Sequence, residues 1–365
     1  MTSKCQTLWK ADSAVPATTA MSLGLPTSAI YAIPASADFL QEYMVAMKPA
    51  VPAVGSRRRA LCKGLALAAG VAVGACGGGV PAVPARGERR DSWLDLAFSI
   101  SGGRLTNRID PTGMPMPGGN ETQLPFMFPV AVVASLGALF VADAGYGKLF
   151  RYQQVGGLIA AVPGIRINAN SRVRVGPSGE IYVLDGTLGN IRRYSLLGQP
   201  VSLLQSRLPM SHYADFDVDP RSGRVFASDA LTLLLDQIEP VGQVAMAYSQ
   251  ASSAGPLALD GGVLYTADLR CRCVNEWRDR RIYRELAKGL IDQPKALVAS
   301  GGEIYVLDGA DRSISRVSDG GLEKLLPMAL GLVAPEQFSV SDGMMYVADG
   351  VGRTVAAFRI RPRVK

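Results

Sequence analysis

The sequence predicts an all-β fold, a six-bladed β-propeller of four-stranded blades whose last blade is closed by an N-terminal strand. Three observations predict it. A tetrapeptide of aromatic, hydrophobic, variable residue and Asp recurs six times: F-V-A-D, Y-V-L-D, F-A-S-D, Y-T-A-D, Y-V-L-D and Y-V-A-D. These end at Asp143, Asp185, Asp229, Asp268, Asp308 and Asp349, at spacings of 42, 44, 39, 40 and 41 residues. The composition, with 40 Gly, 23 Pro and only 19% charged residues, suits many strands joined by turns better than surface helices. Finally, the sixth unit runs out of chain before its fourth strand, while an unused strand-like segment, W-L-D-L-A-F-S-I at residues 93–100, precedes the first unit. That segment is expected to complete the last blade and remove an open sheet edge.

Within each unit the parts follow one order. A short apolar strand comes first and often opens on Pro, as at Pro129, Pro256 and Pro294. A Gly-containing turn follows, such as P-S-G-E or S-G-G-E, and then the aromatic β-branched strand that ends in Asp. A second turn leads to a third strand of the I-R-R-Y or V-A-A-F type, and a weaker fourth strand ends the unit. Residues 110–128, with their M-P-M-P, read as a loop between the closing strand and the first blade. The repeating Asp reads as a cap on the turn after the second strand.

This consensus resembles the NHL-repeat family of propellers over roughly residues 91–361. The resemblance implies the fold. It leaves function open, because such propellers serve as scaffolds, binding modules, lyases and lactonases alike.

Ahead of the repeats lies a different kind of sequence. Arg57, Arg58 and Arg59 with Lys63 precede a weakly apolar run of residues 64–75, too short for the ~20 residues that span a bilayer. Val73-Gly74-Ala75-Cys76 resembles a bacterial lipobox, which implies cleavage before Cys76 and its lipidation. An ordinary export signal cut near Ala75 is the alternative. The S-R-R-R-A-L stretch also resembles a twin-arginine motif, with Ala60 where Phe is favoured, so the general secretory route stays open beside it. An export signal works from an N-terminus, so the start is expected at Met44 or Met47, with residues 1–46 disordered or untranslated. The domain reading is then 47–75 export signal, 76–90 flexible tether and 91–365 propeller. The expected location is the cell envelope, as a membrane-anchored lipoprotein facing the periplasm or cell surface.

The net charge of +7 invites a nucleic-acid reading, but its distribution removes it. Residues 1–75 hold seven Lys and Arg against three acids, leaving 31 of the 38 basic and 28 of the 31 acidic residues for the rest. A nearly balanced domain lacks the footprint of a phosphate-backbone binder.

Propeller ligands sit at a mouth of the central channel, lined by the innermost strands. Aligning those strands by their apolar pattern places Val130, Arg172, Asp215, Leu257, Lys295 and Gln337 at one level. Val132, Arg174, Asp217, Leu259, Leu297 and Ser339 fall two residues on. The period of two puts Arg172 with Arg174, and Asp215 with Asp217, on one face each of adjacent blades. The cluster reads as an inter-blade ion-pair network, or as an anion or carboxylate site using the Arg left unpaired, with Lys295 across the channel. His212, the one histidine, stands just before the innermost strand of blade three, as a surface residue or a lone base near Asp215.

No metal or cofactor is expected. Zinc needs several His, Cys or carboxylate ligands, and the several-histidine zinc set of propeller lyases is absent. Asp215, Asp217, Asn275 and Glu336 are the oxygens a lactonase-like calcium site would draw on. Cys271 and Cys273 match neither redox nor haem spacing and are left as a disulfide or a pair of thiols. The sequence therefore predicts a monomeric, non-catalytic module that binds an envelope protein or small ligand. A propeller hydrolase or lyase with a metal on channel carboxylates is the alternative.

Overall fold

The computed structural model describes residues 92–204, 211–240, 244–248 and 255–363. The residues read from sequence as an export signal and a tether, and Cys76, lie outside the described residues. Among the described residues no helix is long and apolar enough to cross a membrane.

The described chain is nearly all strand and forms six antiparallel blades. Blade one contains β4 (Pro129–Ser135), β5 (Ala138–Asp143), β6 (Lys148–Gln153) and β7 (Leu158–Arg166). Blade two runs through β8 (Arg172–Val175), β9 (Ile181–Asp185), β10 (Asn190–Tyr194) and β11 (Pro200–Leu204), and blade three through β12 (Tyr213–Val218), β13 (Val225–Asp229), β14 (Leu235–Ile238) and β15 (Val244–Tyr248). Blade four holds β16 (Leu257–Asp260), β17 (Val263–Asp268), β18 (Cys273–Arg278) and β19 (Arg281–Leu286). Blade five holds β20 (Pro294–Ser300), β21 (Glu303–Asp308), β22 (Ile314–Ser318) and β23 (Gly321–Leu325), followed by a single helical turn, α1 (Pro327–Leu330). Blade six has β24 (Pro335–Ser341), β25 (Met344–Asp349) and β26 (Thr354–Ile360), and its fourth strand is β1 (Leu94–Ile100).

The closing strand is thus where the sequence put it. β1 lies antiparallel to β26, from Leu94 opposite Ile360 to Ile100 opposite Val355, with a bulge between Leu96 and Phe98. Trp93, just before it, reaches into blade five. Its ring stacks on Tyr305 at 5.5 Å, lies 4.7 Å from the Arg316 guanidinium and donates its Nε1–H to the Glu323 carbonyl at 3.1 Å.

Blade one departs from four strands. β2 (Gly102–Leu105) pairs in parallel with β7 and antiparallel with β3 (Thr122–Pro125), making a six-stranded sheet. The expected loop over 110–128 therefore contains a strand. Its hairpin covers the outer edge of β7, which would otherwise present unpaired backbone groups to solvent.

The second strand of each blade is the most apolar because it has sheet neighbours on two sides and a blade on each face. β5 is buried along its whole length. The core divides into clusters that bridge adjacent blades. Val132, Leu139 and Val141 of blade one pack with Tyr346, Ala348 and Val355 of blade six, so the ring is closed by side chains as well as by β1. Between first and second strands the hairpins are tight. Gly301 and Gly302 both take positive φ, 62° and 80°, as a type I′ turn requires.

The repeating Asp does more than cap a turn. Asp349 accepts hydrogen bonds from the N–H groups of Val333 (2.7 Å), Ala334 (2.8 Å) and Gly352 (2.9 Å). Asp308 accepts in the same way from Asp292, Gln293 and Ala310, and Asp143 from Met127, Phe128 and Gly145. Each carboxylate ties the loop entering its blade to the turn after the second strand. A buried carboxylate with several N–H donors satisfies backbone groups that neither loop could pair alone.

Candidate functional site at the channel mouth

The innermost strands β4, β8, β12, β16, β20 and β24 surround the channel. Their pairing with the second strands corrects the alignment read from sequence. A one-residue irregularity follows the opening residue of β4, β12, β20 and β24. Counted from the residue opposite the second strand, Arg172, Asp215 and Gln337 share a level with Ala131 and Ala296, not with Val130 and Lys295. Lys295 and Glu336 occupy the extra residue in blades five and six. Leu257 moves to the buried apolar level with Val173 and Phe216. The physical reason is the bulge, which adds a residue without changing the apolar pattern on either side.

Equivalent positions of neighbouring blades then face one another. Asp215 Oδ1 lies 4.0 Å from Arg172 Nε and 3.9 Å from Arg174 Nη2. One level deeper, Arg174 Nε donates to Asp217 Oδ1 at 3.1 Å, and its guanidinium lies 5.8 Å from the Phe216 ring centre. Asp217 also accepts from the N–H groups of Val218 (3.0 Å) and Leu259 (2.9 Å), and Asp215 Oδ2 from that of Leu257 at 3.2 Å. In the bulged pair the Lys295 ammonium meets the Glu336 carboxylate. Burial pushes the Asp217 carboxyl above the usual range, against the opposing pull of Arg174.

Arg172 is the exception. Its Nη1 donates only to the neighbouring Ser171 carbonyl, at 3.5 Å, and its contact with Asp215 is too long for a hydrogen bond. Burial pushes its pKa below the ordinary value, with Asp215 opposing. This under-partnered guanidinium lines a cavity of about 440 Å³ together with Asp215, Gln293, Lys295 and the backbone around Gly255 and Gly309. Further polar atoms at the same two levels make no hydrogen bond, although the first of them keeps its two long ion-pair contacts. They are Asp215 Oδ1, both amide atoms of Gln337 and Ser339 Oγ.

Of the residues singled out from sequence, Arg172, Asp215 and Lys295 meet at this cavity, and Arg174 and Asp217 form the ion pair beneath it. His212 does not line it. The imidazole Nε2 lies 3.2 Å from the Gly186 carbonyl oxygen, and the ring packs against the turn at Gly189. Glu336, named from sequence as a channel oxygen, is instead the partner of Lys295, and Gln293 is a lining residue that the sequence reading did not name. The turns after the second strands carry exposed Leu188, Leu231, Leu269 and Val351, none of which lines the cavity.

Cys271 and Cys273, left open from sequence, form a disulfide across the turn into β18, with Cα atoms 5.2 Å apart.

No protein-family model matches the chain, and no curated protein matches it. Solved structures do. A catalytically inactive virginiamycin B lyase from Staphylococcus aureus, solved with quinupristin, is 11% identical over 73% of this chain and 98% of that one, with a TM-score of 0.51. A gluconolactonase from Xanthomonas campestris is 16% identical over 61% of this chain and 82% of that one, with a TM-score of 0.49. At these identities the likeness speaks for the propeller fold alone.

Proposed function

We propose that the protein is a ligand-binding propeller whose channel mouth takes a small anionic molecule with an apolar body. The observation that carries this reading is Arg172, a cavity-lining guanidinium whose five N–H donors have one long hydrogen bond between them. A carboxylate or phosphate would supply the missing acceptors in bidentate form. Lys295 adds a second cation, and Ala214, Pro256 and Pro294 in the lining offer apolar surface beside the charged centre.

The test is a melting-shift and calorimetric screen of aliphatic and aryl carboxylates and phosphate esters. Arg172→Met is expected to weaken the best ligand at least tenfold, about 1.4 kcal/mol, and Lys295→Met by less. Equal binding by wild type and Arg172→Met would reject the site.

The names of the structural neighbours fit a second reading, a lyase or lactonase. A metal on Asp215, Asp217 and Glu336 would have to displace Arg172, Arg174 and Lys295 from them. Among the described residues these carboxylates do not converge on one point. A stoichiometric calcium or zinc ion in the purified protein would favour the enzyme.

Export and lipid anchoring at Cys76 are proposed on the sequence alone. Cys76→Ser should move the protein from the membrane to the soluble fraction, and unchanged membrane association would end that reading.

A further inference from the structure

Blade four holds a buried amide beside its two cysteines. Where the third strands of blades one, two, three, five and six carry Phe150, Arg192, Asp236, Ser315 and Ala356, β18 carries Asn275, two residues after Cys273. Asn275 is buried, with 2% exposure. Its Nδ2–H group donates to the Asp268 carboxylate at 3.2 Å, which fixes the orientation of the amide. The amide oxygen must then face the two sulfurs, Cys273 Sγ at 3.3 Å and Cys271 Sγ at 3.9 Å.

A disulfide offers that oxygen nothing, since neither sulfur carries a proton. Thiols would donate to it, and a cation between the sulfurs would bind it. Glu285, opposite Asn275 on β19, brings a carboxylate oxygen to within 4.8 Å of both sulfurs, where it also meets Lys288. Two sulfurs and a carboxylate oxygen thus lie within 4.8 Å of one another, and the amide oxygen lies within 3.9 Å of both sulfurs, on a site half-exposed at Cys271.

We propose that reduced Cys271 and Cys273, with Glu285 and Asn275, form a binding site for a zinc-class divalent cation, distinct from the channel mouth. Two thiolates with two oxygen donors suit zinc or cadmium, whereas copper(I) favours sulfur alone. The balance is complete. A dithiol reductant gives two electrons and two protons to the S–S bond and becomes a disulfide itself. The cation then displaces the two thiol protons.

The experiment uses the full chain carrying C5S, C62S and C76S, so that Cys271 and Cys273 are the only thiols. Cadmium is titrated into the reduced and the oxidised protein, following the ultraviolet thiolate-to-cadmium charge-transfer absorption and proton release. One cadmium per reduced chain, with two protons released and no uptake by the oxidised chain, is expected. Glu285→Gln and Asn275→Ala should each weaken binding at least tenfold, and Cys273→Ser should abolish the absorption. The proposal falls if the reduced chain takes up no cadmium, if the oxidised chain binds as well, or if Glu285→Gln and Asn275→Ala both bind like the parent. Glu285 is exposed, so its substitution reads the site without threatening the fold.

Discussion

A chain from which residues 92–101 are removed will not close its ring. It will be recovered as aggregate, or as a species with native-like strand content and no cooperative melting transition. The expectation follows from how much rests on this segment. β1 supplies the whole outer edge of blade six, and Trp93 and Leu94 belong to the core shared by blades five and six. Truncating a buried Trp to Ala costs roughly 3–5 kcal/mol, a large part of the roughly 5–15 kcal/mol that a domain has in total. Losing the strand as well removes its ladder and exposes β26 as a free edge. Trp93→Ala alone should lower stability by about 3 kcal/mol in denaturant unfolding. A truncated chain that melts cooperatively within a few degrees of the parent would show that closure by β1 is dispensable.

The second large effect is expected at Asp215. Asp215→Ala removes the nearest carboxylate from Arg172 and Arg174; Arg174 keeps its hydrogen-bonded pair with Asp217, whereas Arg172 keeps only the weaker pull of Glu336. Removing one partner of a buried ion pair costs about 3–5 kcal/mol. Arg172 keeps some contact with the cavity, so about 2–3 kcal/mol is expected here. The double variant Arg172→Met with Asp215→Leu should recover more than half of that loss, because no guanidinium is then left without a counter-charge. Urea unfolding of the two single variants and the double variant forms the cycle. An Asp215→Ala chain within 0.5 kcal/mol of the parent would mean that the cluster is hydrated and not paired.

The fold was legible because each blade must solve the same packing problem. The second strand is buried on every side, which forces an aromatic and β-branched run, and two neighbouring loops need one carboxylate, which forces the Asp. Those demands recur in sequence about every forty residues. The closing strand was legible by the same logic, as the one apolar segment without a blade. The channel mouth was legible only in part. Arg172 with Asp215 and Arg174 with Asp217 followed from periodicity, since their strands keep step. Lys295 was read to the right mouth but to the wrong level, and the pairing of Lys295 with Glu336 was not legible, because a bulge inserts a residue that leaves the apolar pattern intact. β3 escaped notice for another reason: T-Q-L-P has no alternation, its strand state being imposed by the edge of β7. Nor could spacing along the chain show that His212 folds onto the Gly186–Gly189 turn, or that Asn275 turns its oxygen toward two cysteines.

The pairing of β1 with β26 also sets an order in time. Synthesis from the N-terminal end delivers Ile100 early and its partner Val355 more than 250 residues later. Until then the first strand has no place in the ring, and the five blades made in between have no closed neighbour on one side. Blades can form locally as they emerge, since each is built from consecutive hairpins, but the final docking waits for the whole chain. A ribosome that stalls anywhere before residue 354 therefore releases an open arc with two adhesive ends. For such a protein the vulnerable interval is set by the time needed to complete the chain, and a chaperone that shields residues 93–100 through that interval would protect it most.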